Sequence, residues 1–449
     1  MGKRKDLTQG SVLKNVWVLA LPMMFSGIIQ TAFNIVDMFW VGRLGSEAIA
    51  AVAMSGAVIM IVVIFVMGLG RGTSAMVARF IGAKQVEEAN RVAMQSIFLA
   101  LVISFLLAIV GYLITPFLFN LLAAGPGVIS LGTGYMRIIF LGGISMVFLF
   151  LISSIFQGAG DAVTPMKLII IAALLNAVLD PLLIFGISFF PKMGVSGAAL
   201  ATVCSQGFGA LIGIYLLAKG RSLIHVNMRM LKFDFSMIRR VLIIGIPASL
   251  QMGLRSFMAV VLMGIVARYG TYAVAAYGIG VRLQMMVLMP GFSLGNAAGT
   301  LVGQNLGAGK PERAEKSGWS ATGIYMIIML IVGVLSFIFA APIIKIFSKE
   351  LQVIAIGEEF LKITAVMYVF TAMGLVLSRA LMGAGDTVSP VFLNLFALWG
   401  LQVPLAIMIP RITGAGVTGV FWAIVIASVI NGITTAVWFK IGRWKHKRI

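Results

Sequence analysis

QGAGDAVTPM at residues 157–166 returns as MGAGDTVSPV at residues 382–391, a displacement of 225 in a chain of 449. A Gly-Ala-Gly-Asp turn followed by a proline ends one helix and begins another, so its recurrence suggests a duplicated helical unit. Neighbouring passages fall into the same register. GRLGSEAIAAV at 42 matches ARYGTYAVAAY at 267, and RFIGAKQVEEA at 79 matches QNLGAGKPERA at 304. Nearer the ends, MGVSGAALA at 193 matches AGVTGVFWA at 415, with the displacement reduced to 222.

What is duplicated follows from hydropathy. The chain is 60% hydrophobic and 11% charged, with a mean hydropathy of +1.07, and a soluble domain of this length has nowhere to hide so much apolar surface. Twelve apolar runs of spanning length lie at about 15–39, 48–74, 91–118, 130–155, 165–189, 194–218, 240–265, 273–299, 317–343, 353–378, 390–410 and 415–440. Backbone groups in lipid must be paired within the segment, so each run is a helix. The expected fold is an all-α polytopic membrane protein: twelve transmembrane helices in two parallel six-helix repeats. An amino-terminal lobe is expected over 1–218, a linker over 219–240 and a carboxy-terminal lobe over 241–449.

The formal charge of +20 would suit a nucleic-acid binder, but its placement argues for a membrane instead. Basic residues gather at Lys3, Arg4, Lys5 and Lys14, at Lys219, Arg221, Arg229, Lys232, Arg239 and Arg240, and at Lys440, Arg443, Lys445, Lys447 and Arg448. An even number of spans puts all three groups on one side, which the positive-inside rule makes cytoplasmic, together with both termini. Anionic membrane lipids account for the basic excess, and no nucleic-acid partner is expected. A single cysteine, Cys204, excludes an internal disulfide, and two histidines are too few for a metal centre of their own. GQNLGAGKP around Lys310 has the wrong spacing for a phosphate loop, and Pro311 stands where a hydroxyl residue would reach magnesium.

The ordered set of passages carries a resemblance. The Leu-Pro near the start of the first span, NIVDMFWVGRLG, the two GAGD turns and NAVLDPLLIFG together resemble the multidrug and toxic compound extrusion (MATE) family over essentially the whole chain. Asp37 in the first span with NAVLD in the fifth is similar to its DinF-like prokaryotic branch. The resemblance implies a transporter rather than an enzyme, working as a monomer in the cell inner (plasma) membrane. Its activity would be efflux of organic, often cationic amphipathic compounds in exchange for H+ or Na+, by rocker-switch alternating access without a cofactor. By the same similarity Tyr135 and Gln30 face the first-lobe cavity, and Ser153 stands at a cavity position. A lipid-linked sugar or lipid flippase of the wider superfamily is the alternative, and it would show a strongly cationic cleft.

Positions that are polar in one repeat and apolar in the other are not needed by the shared scaffold. Asp37 falls on Leu262, Asn34 on Ala259, Asn176 on Leu401, Asp180 on Leu405 and Thr202 on Ile424. Asp180 lies about 22 Å along its helix, Asp37 a similar distance along its own, and Thr202 about 12 Å into a helix returning from the other side. Asn176 and Asp180 are four apart and share a face, as do Thr202 and Gln206. A lone Asp in a span costs about 2.5 to 3.5 kcal/mol, so it is paired, protonated or holding a cation. Asp37, Asp180, Asn176 and Thr202 are therefore the expected cation-coupling set, with Na+ as a metal they could hold. Gln30, Asn34, Tyr135, Ser153 and Gln206 are the expected substrate-cavity residues. Pro22 weakens the first helix below Asp37 and is the expected conformational element, although Pro247 repeats it. Arg255 and Arg282, in mid-span in the second half, are left without a role by this scheme.

Overall fold

The computed structural model describes residues 6–121, 125–220, 223–226 and 233–447. Lys3, Arg4, Lys5, Arg221, Arg229, Lys232 and Arg448, counted above in the basic groups, lie outside the described residues, as does part of the expected linker. The first half comprises α1 (Val12–Gly42), α2 (Ser46–Gly82), α3 (Val86–Leu121), α4 (Pro126–Leu141), α5 (Gly143–Gly158), α6 (Val163–Phe185) and α7 (Val195–Ala218). The second comprises α8 (Phe235–Ala267), α9 (Thr271–Gly307), α10 (Pro311–Ile338), the short α11 (Ala340–Lys345), α12 (Leu351–Ala365), α13 (Tyr368–Gly383), α14 (Val388–Asn394), α15 (Val403–Thr413) and α16 (Val417–Ile441). A π-helical stretch, Leu395–Gln402, joins α14 to α15.

Every expected span is a helix, so the chain is an all-α multi-pass membrane protein. Among the described residues, ten helices are long and apolar enough to cross a membrane, and two bent pairs raise the number to twelve. The bent pairs are α4 with α5, at 49°, and α12 with α13, at 58°. Gly142 marks the first bend and lets Val203 of α7 pack where a β-carbon would stand. The second bend, at Val366 and Met367, has no glycine, so the shared architecture rather than that residue sets the kink. The π-helical stretch leads to Pro404, which has no N–H to continue an ordinary α-helical ladder.

Helices also run past the apolar runs at polar ends, α2 to Gly82 and α9 to Gly307, because hydropathy marks the lipid and not the helix. Glu87 and Glu88 in the first turn of α3 suit the positive end of its dipole.

The duplication is visible in the backbone. Gly45 and Gly270 have φ of 109° and 97°, and Gly194 and Gly416 both have 57°, so the same left-handed turns recur at displacements of 225 and 222. Helix contacts recur too. A β-carbon on Gly158 would stand 2.7 Å from the Ser74 carbonyl oxygen, and one on the equivalent Gly383 would run into the Gly299 carbonyl. Apolar side chains gain little from leaving lipid for protein, so such close backbone approaches supply much of the packing energy.

Beside the expected lobes, the described chain separates into compact units whose limits fall just before Pro22 and at Pro247: Leu21–Ile246, and Met1–Ala20 with Pro247–Ile449. The residues before α1 join the second unit through bonds from Lys310 Nζ to the Thr8 carbonyl (3.0 Å) and from Arg313 to the Gln9 carbonyl (2.8 Å). The stretch before Pro247 joins the first unit. There the amides of His225 and Asp234 donate to Asn90 and Gln95, and Gly72 lies against the Val241 carbonyl.

Candidate functional site

All the expected polar residues belong to the unit Leu21–Ile246. The site is built around α6, whose Asn176 and Asp180 are completely buried. Burial follows from α7, which is rich in Gly, Ala and Ser, so the two helices approach closely. A β-carbon on Gly197 would be 2.5 Å from the Leu183 carbonyl oxygen, and Gly209 faces Ala172 in ordinary contact. One turn apart, Asn176 Nδ2 donates to Asp180 Oδ1 at 3.0 Å. Tyr135 of α4 is buried in an apolar cluster with Val41, Val52, Met136, Phe140 and Ile184. Its hydroxyl is within electrostatic range of both Asp37 and Asp180, and the two carboxylates are within range of one another.

Asp37, Asn176, Asp180 and Tyr135 are therefore brought together from α1, α4 and α6. Among the described residues, three buried oxygens there, Asp37 Oδ1, Asn176 Oδ1 and Asp180 Oδ2, have no hydrogen-bond donor. All three are acceptors, the chemistry that a proton or a hard cation satisfies. The residues present fit such an ion, with two carboxylates to balance its charge and an amide oxygen beside them. In the same helix Pro181 cannot donate, so the Ala177 carbonyl receives nothing from that position. Pro181 aligns with Ala406 in the second half, a difference that the repeat comparison could have flagged.

Other expected residues sit apart from this core. Thr202 and Gln206 are half-buried on α7, and among the described residues neither hydrogen-bonds to the aspartates. Gln30 and Asn34 are exposed on α1, and only Asp37 of that stripe turns partly inward. Ser153 is buried in α5 and donates its hydroxyl to the Leu149 carbonyl at 2.7 Å. Pro22 lies inside the continuous α1, where Ser26 Oγ donates to its carbonyl at 2.9 Å. Sequence reasoning missed Arg137, half-buried two residues beyond Tyr135, with its guanidinium 4.5 Å from the ring centre of Tyr112. An arginine in mid-span was the available signal.

Comparison with known proteins agrees with this architecture. The family model MatE matches twice, over residues 22–182 and 247–408, once in each half. The chain is 30% identical to the probable multidrug resistance protein YpnP of Bacillus subtilis over 100% of this chain and 99% of that one. It is 28% identical to an FAD transporter of Shewanella oneidensis over 94% of this chain and 93% of that one. Among solved structures, it is similar to a MOP-superfamily transporter from Pyrococcus furiosus Vc1, described as having a binding pocket of reverse polarity that suggests a different function. That likeness has a TM-score of 0.88 and 29% identity, over 97% of this chain and 96% of that one. Two family matches in register with the repeat, a relative alike over the full length and a shared fold establish that the chain belongs to the MATE family of membrane transporters.

Proposed function

We propose that the chain is a secondary active exporter of small organic amphiphiles, driven by H+ or Na+ entering through the first half. The observation that carries this reading is the buried trio of donor-less oxygens on Asp37, Asn176 and Asp180, opposite leucines in the other repeat. A relative named as a multidrug resistance protein supports efflux, and one named as an FAD transporter shows that relatives of similar likeness differ in cargo.

In the mechanism, repulsion between Asp37 and Asp180 is relieved when a proton or Na+ occupies the trio, while Asn176 holds Asp180 in place through its amide. Tyr135, fixed in the apolar cluster, forms the wall beside them. Thr202 supplies a further oxygen if α7 turns toward the ion, and Gln30, Asn34, Ser153 and Gln206 border the substrate cavity. Loading changes how α1 packs above Pro22, because an ion shifts an equilibrium only through unequal affinity for the two arrangements. Access to the cavity then alternates by a rocker switch. The protein acts as a monomer in the plasma membrane, with both termini cytoplasmic and anionic lipids against its basic ends.

The test is dye export from proteoliposomes under an imposed Na+ or pH gradient. Asp37→Asn and Asp180→Asn are each expected to insert normally and to reduce gradient-driven accumulation to the level of empty vesicles. Wild-type accumulation by either variant at equal protein would defeat the coupling role.

A further inference from the structure

The second half has charges of the opposite sign at membrane depth. No acidic residue lies between Asp234 and Glu312, nor after Asp386, yet α8 carries Arg255 and α9 carries Arg282. Arg255 is twelve residues before the end of α8 and Arg282 eleven after the start of α9, about 16 to 18 Å from the same membrane end. Both side chains are exposed, and among the described residues neither forms an ion pair or a hydrogen bond. Among the acids of this unit, Glu315 pairs with Lys440 and Lys445, Glu358 with Lys362 and Asp386 with Lys447, while Glu359 is exposed midway along α12.

The face that bears Arg282 is defined by what packs on the other side. Gly280 and Tyr277 of α9 lie against Phe360 of α12. At 100° per residue, Arg282, Met285, Met286 and Met289 point to the opposite side of α9, and all three methionines are exposed. Arg255, at the same depth on α8, is likewise exposed and lies within electrostatic range of the Tyr325 hydroxyl. In the first half the two arginine positions are Gln30 and Ala57, so the repeated scaffold does not require them. An unpaired arginine at this depth is costly against hydrocarbon and is stabilised where it lines an aqueous cavity.

We propose that this face of the second half recognises the cargo, and that the cargo is an amphipathic organic anion. Its carboxylate, sulfonate or phosphate ester is held by Arg255 and Arg282, and its apolar body rests on Met285, Met286 and Met289. The proposal rests on the exporter reading above and reverses the charge expected of the cargo from sequence. Guanidinium groups match the oxygens of such anions bidentately, and unbranched thioethers adapt to varied apolar shapes. The coupling ion and the cargo thus occupy chemically separate places: carboxylates in one half and arginines in the other.

The test titrates two xanthene dyes of similar size and opposite charge, carboxyfluorescein and rhodamine 123, against the purified full-length protein in detergent, read by fluorescence polarisation. The wild type is expected to bind carboxyfluorescein about tenfold or more tightly than rhodamine 123. R255Q and R282A are each expected to weaken carboxyfluorescein by about tenfold, the loss of one charge-assisted contact, without weakening rhodamine 123. R255K is expected to recover part of the loss, since it restores charge but not the planar fork. Equal or tighter binding of rhodamine 123 by the wild type would overturn the proposal, and that comparison needs no variant to fold. So would unchanged carboxyfluorescein affinity in variants that melt at the wild-type temperature. Binding in detergent does not require transport. A protein that binds the anionic dye through its arginines but exports neither dye from vesicles would refute the exporter and leave the anion face standing.

Discussion

The two halves share a backbone plan and diverge in the chemistry placed at membrane depth. Gly45 and Gly270 make the same turn, and Gly158 and Gly383 make the same close helix approach. On that common frame, Asp37, Asn176 and Asp180 are polar and clustered in the first half. Their partners Leu262, Leu401 and Leu405 are apolar, while Arg255 and Arg282 appear where the first half has Gln30 and Ala57. The lesson concerns where duplicated membrane proteins can change. Turns and close approaches are constrained in both copies because a left-handed φ or a missing β-carbon has no substitute. Side chains on the faces between them are free to acquire opposite charges, and each acquired charge costs enough in lipid to imply a use.

The comparison can be broken most forcefully by giving the second half the first half's carboxylate. Leu405→Asp, with or without Leu401→Asn, is expected to cost about 2.5 to 3.5 kcal/mol, because α15 offers no assembled partner set to receive the charge. Folded yield and thermal unfolding measure it. A variant as stable as the wild type would show that the second half retains a latent site.

A smaller effect is expected from the shared helix contact. Gly383→Ala drives a methyl group into the Gly299 carbonyl, whereas Gly158→Ala meets the Ser74 carbonyl oxygen at 2.7 Å with slightly more room. Both should destabilise by about 1 to 3 kcal/mol, Gly383 the more. Equal tolerance at both positions would mean that the close approach is not what the repeat preserves.

The smallest effect separates the two GAGD turns. Asp161 accepts from the amides of Val163 and Thr164 and from the Thr164 hydroxyl, whereas Asp386 receives Lys447 Nζ at 2.9 Å as well as Ser389. Burial pushes the Asp386 carboxyl upward, but the bonds from Lys447 and Ser389 outweigh it and hold the group below the usual carboxylate range. A depressed carboxyl stabilises the fold above its unfolded value of about 3.9 and loses that contribution as pH falls through the folded value. Lys447 is partly exposed, so Lys447→Ala should cost under about 1 kcal/mol near neutrality. The deficit should vanish in acid, and a deficit independent of pH would assign Lys447 a packing role instead.

Much of this molecule was legible in one dimension. Hydropathy placed every span because a bilayer imposes a length and an obligatory internal pairing on each segment by itself. Repeat register isolated Asp37, Asn176 and Asp180 because an alignment of the chain with itself needs no coordinates. Tyr135 was different: nothing in TGYMRIIF marks it, and only the resemblance named it before α4 was seen to bring its hydroxyl within electrostatic range of both carboxylates. Depth along a helix comes from counting residues, but rotation about the axis relative to distant neighbours does not. That rotation left Asn34 and Gln30 exposed while Asp37 turned partly inward, and it put Arg282 on the methionine side of α9 rather than against Phe360. The bends at Gly142 and at Val366–Met367 also belong to the tertiary structure. Each depends on contacts between segments far apart in the chain, where small residues in one helix decide how closely another can lie.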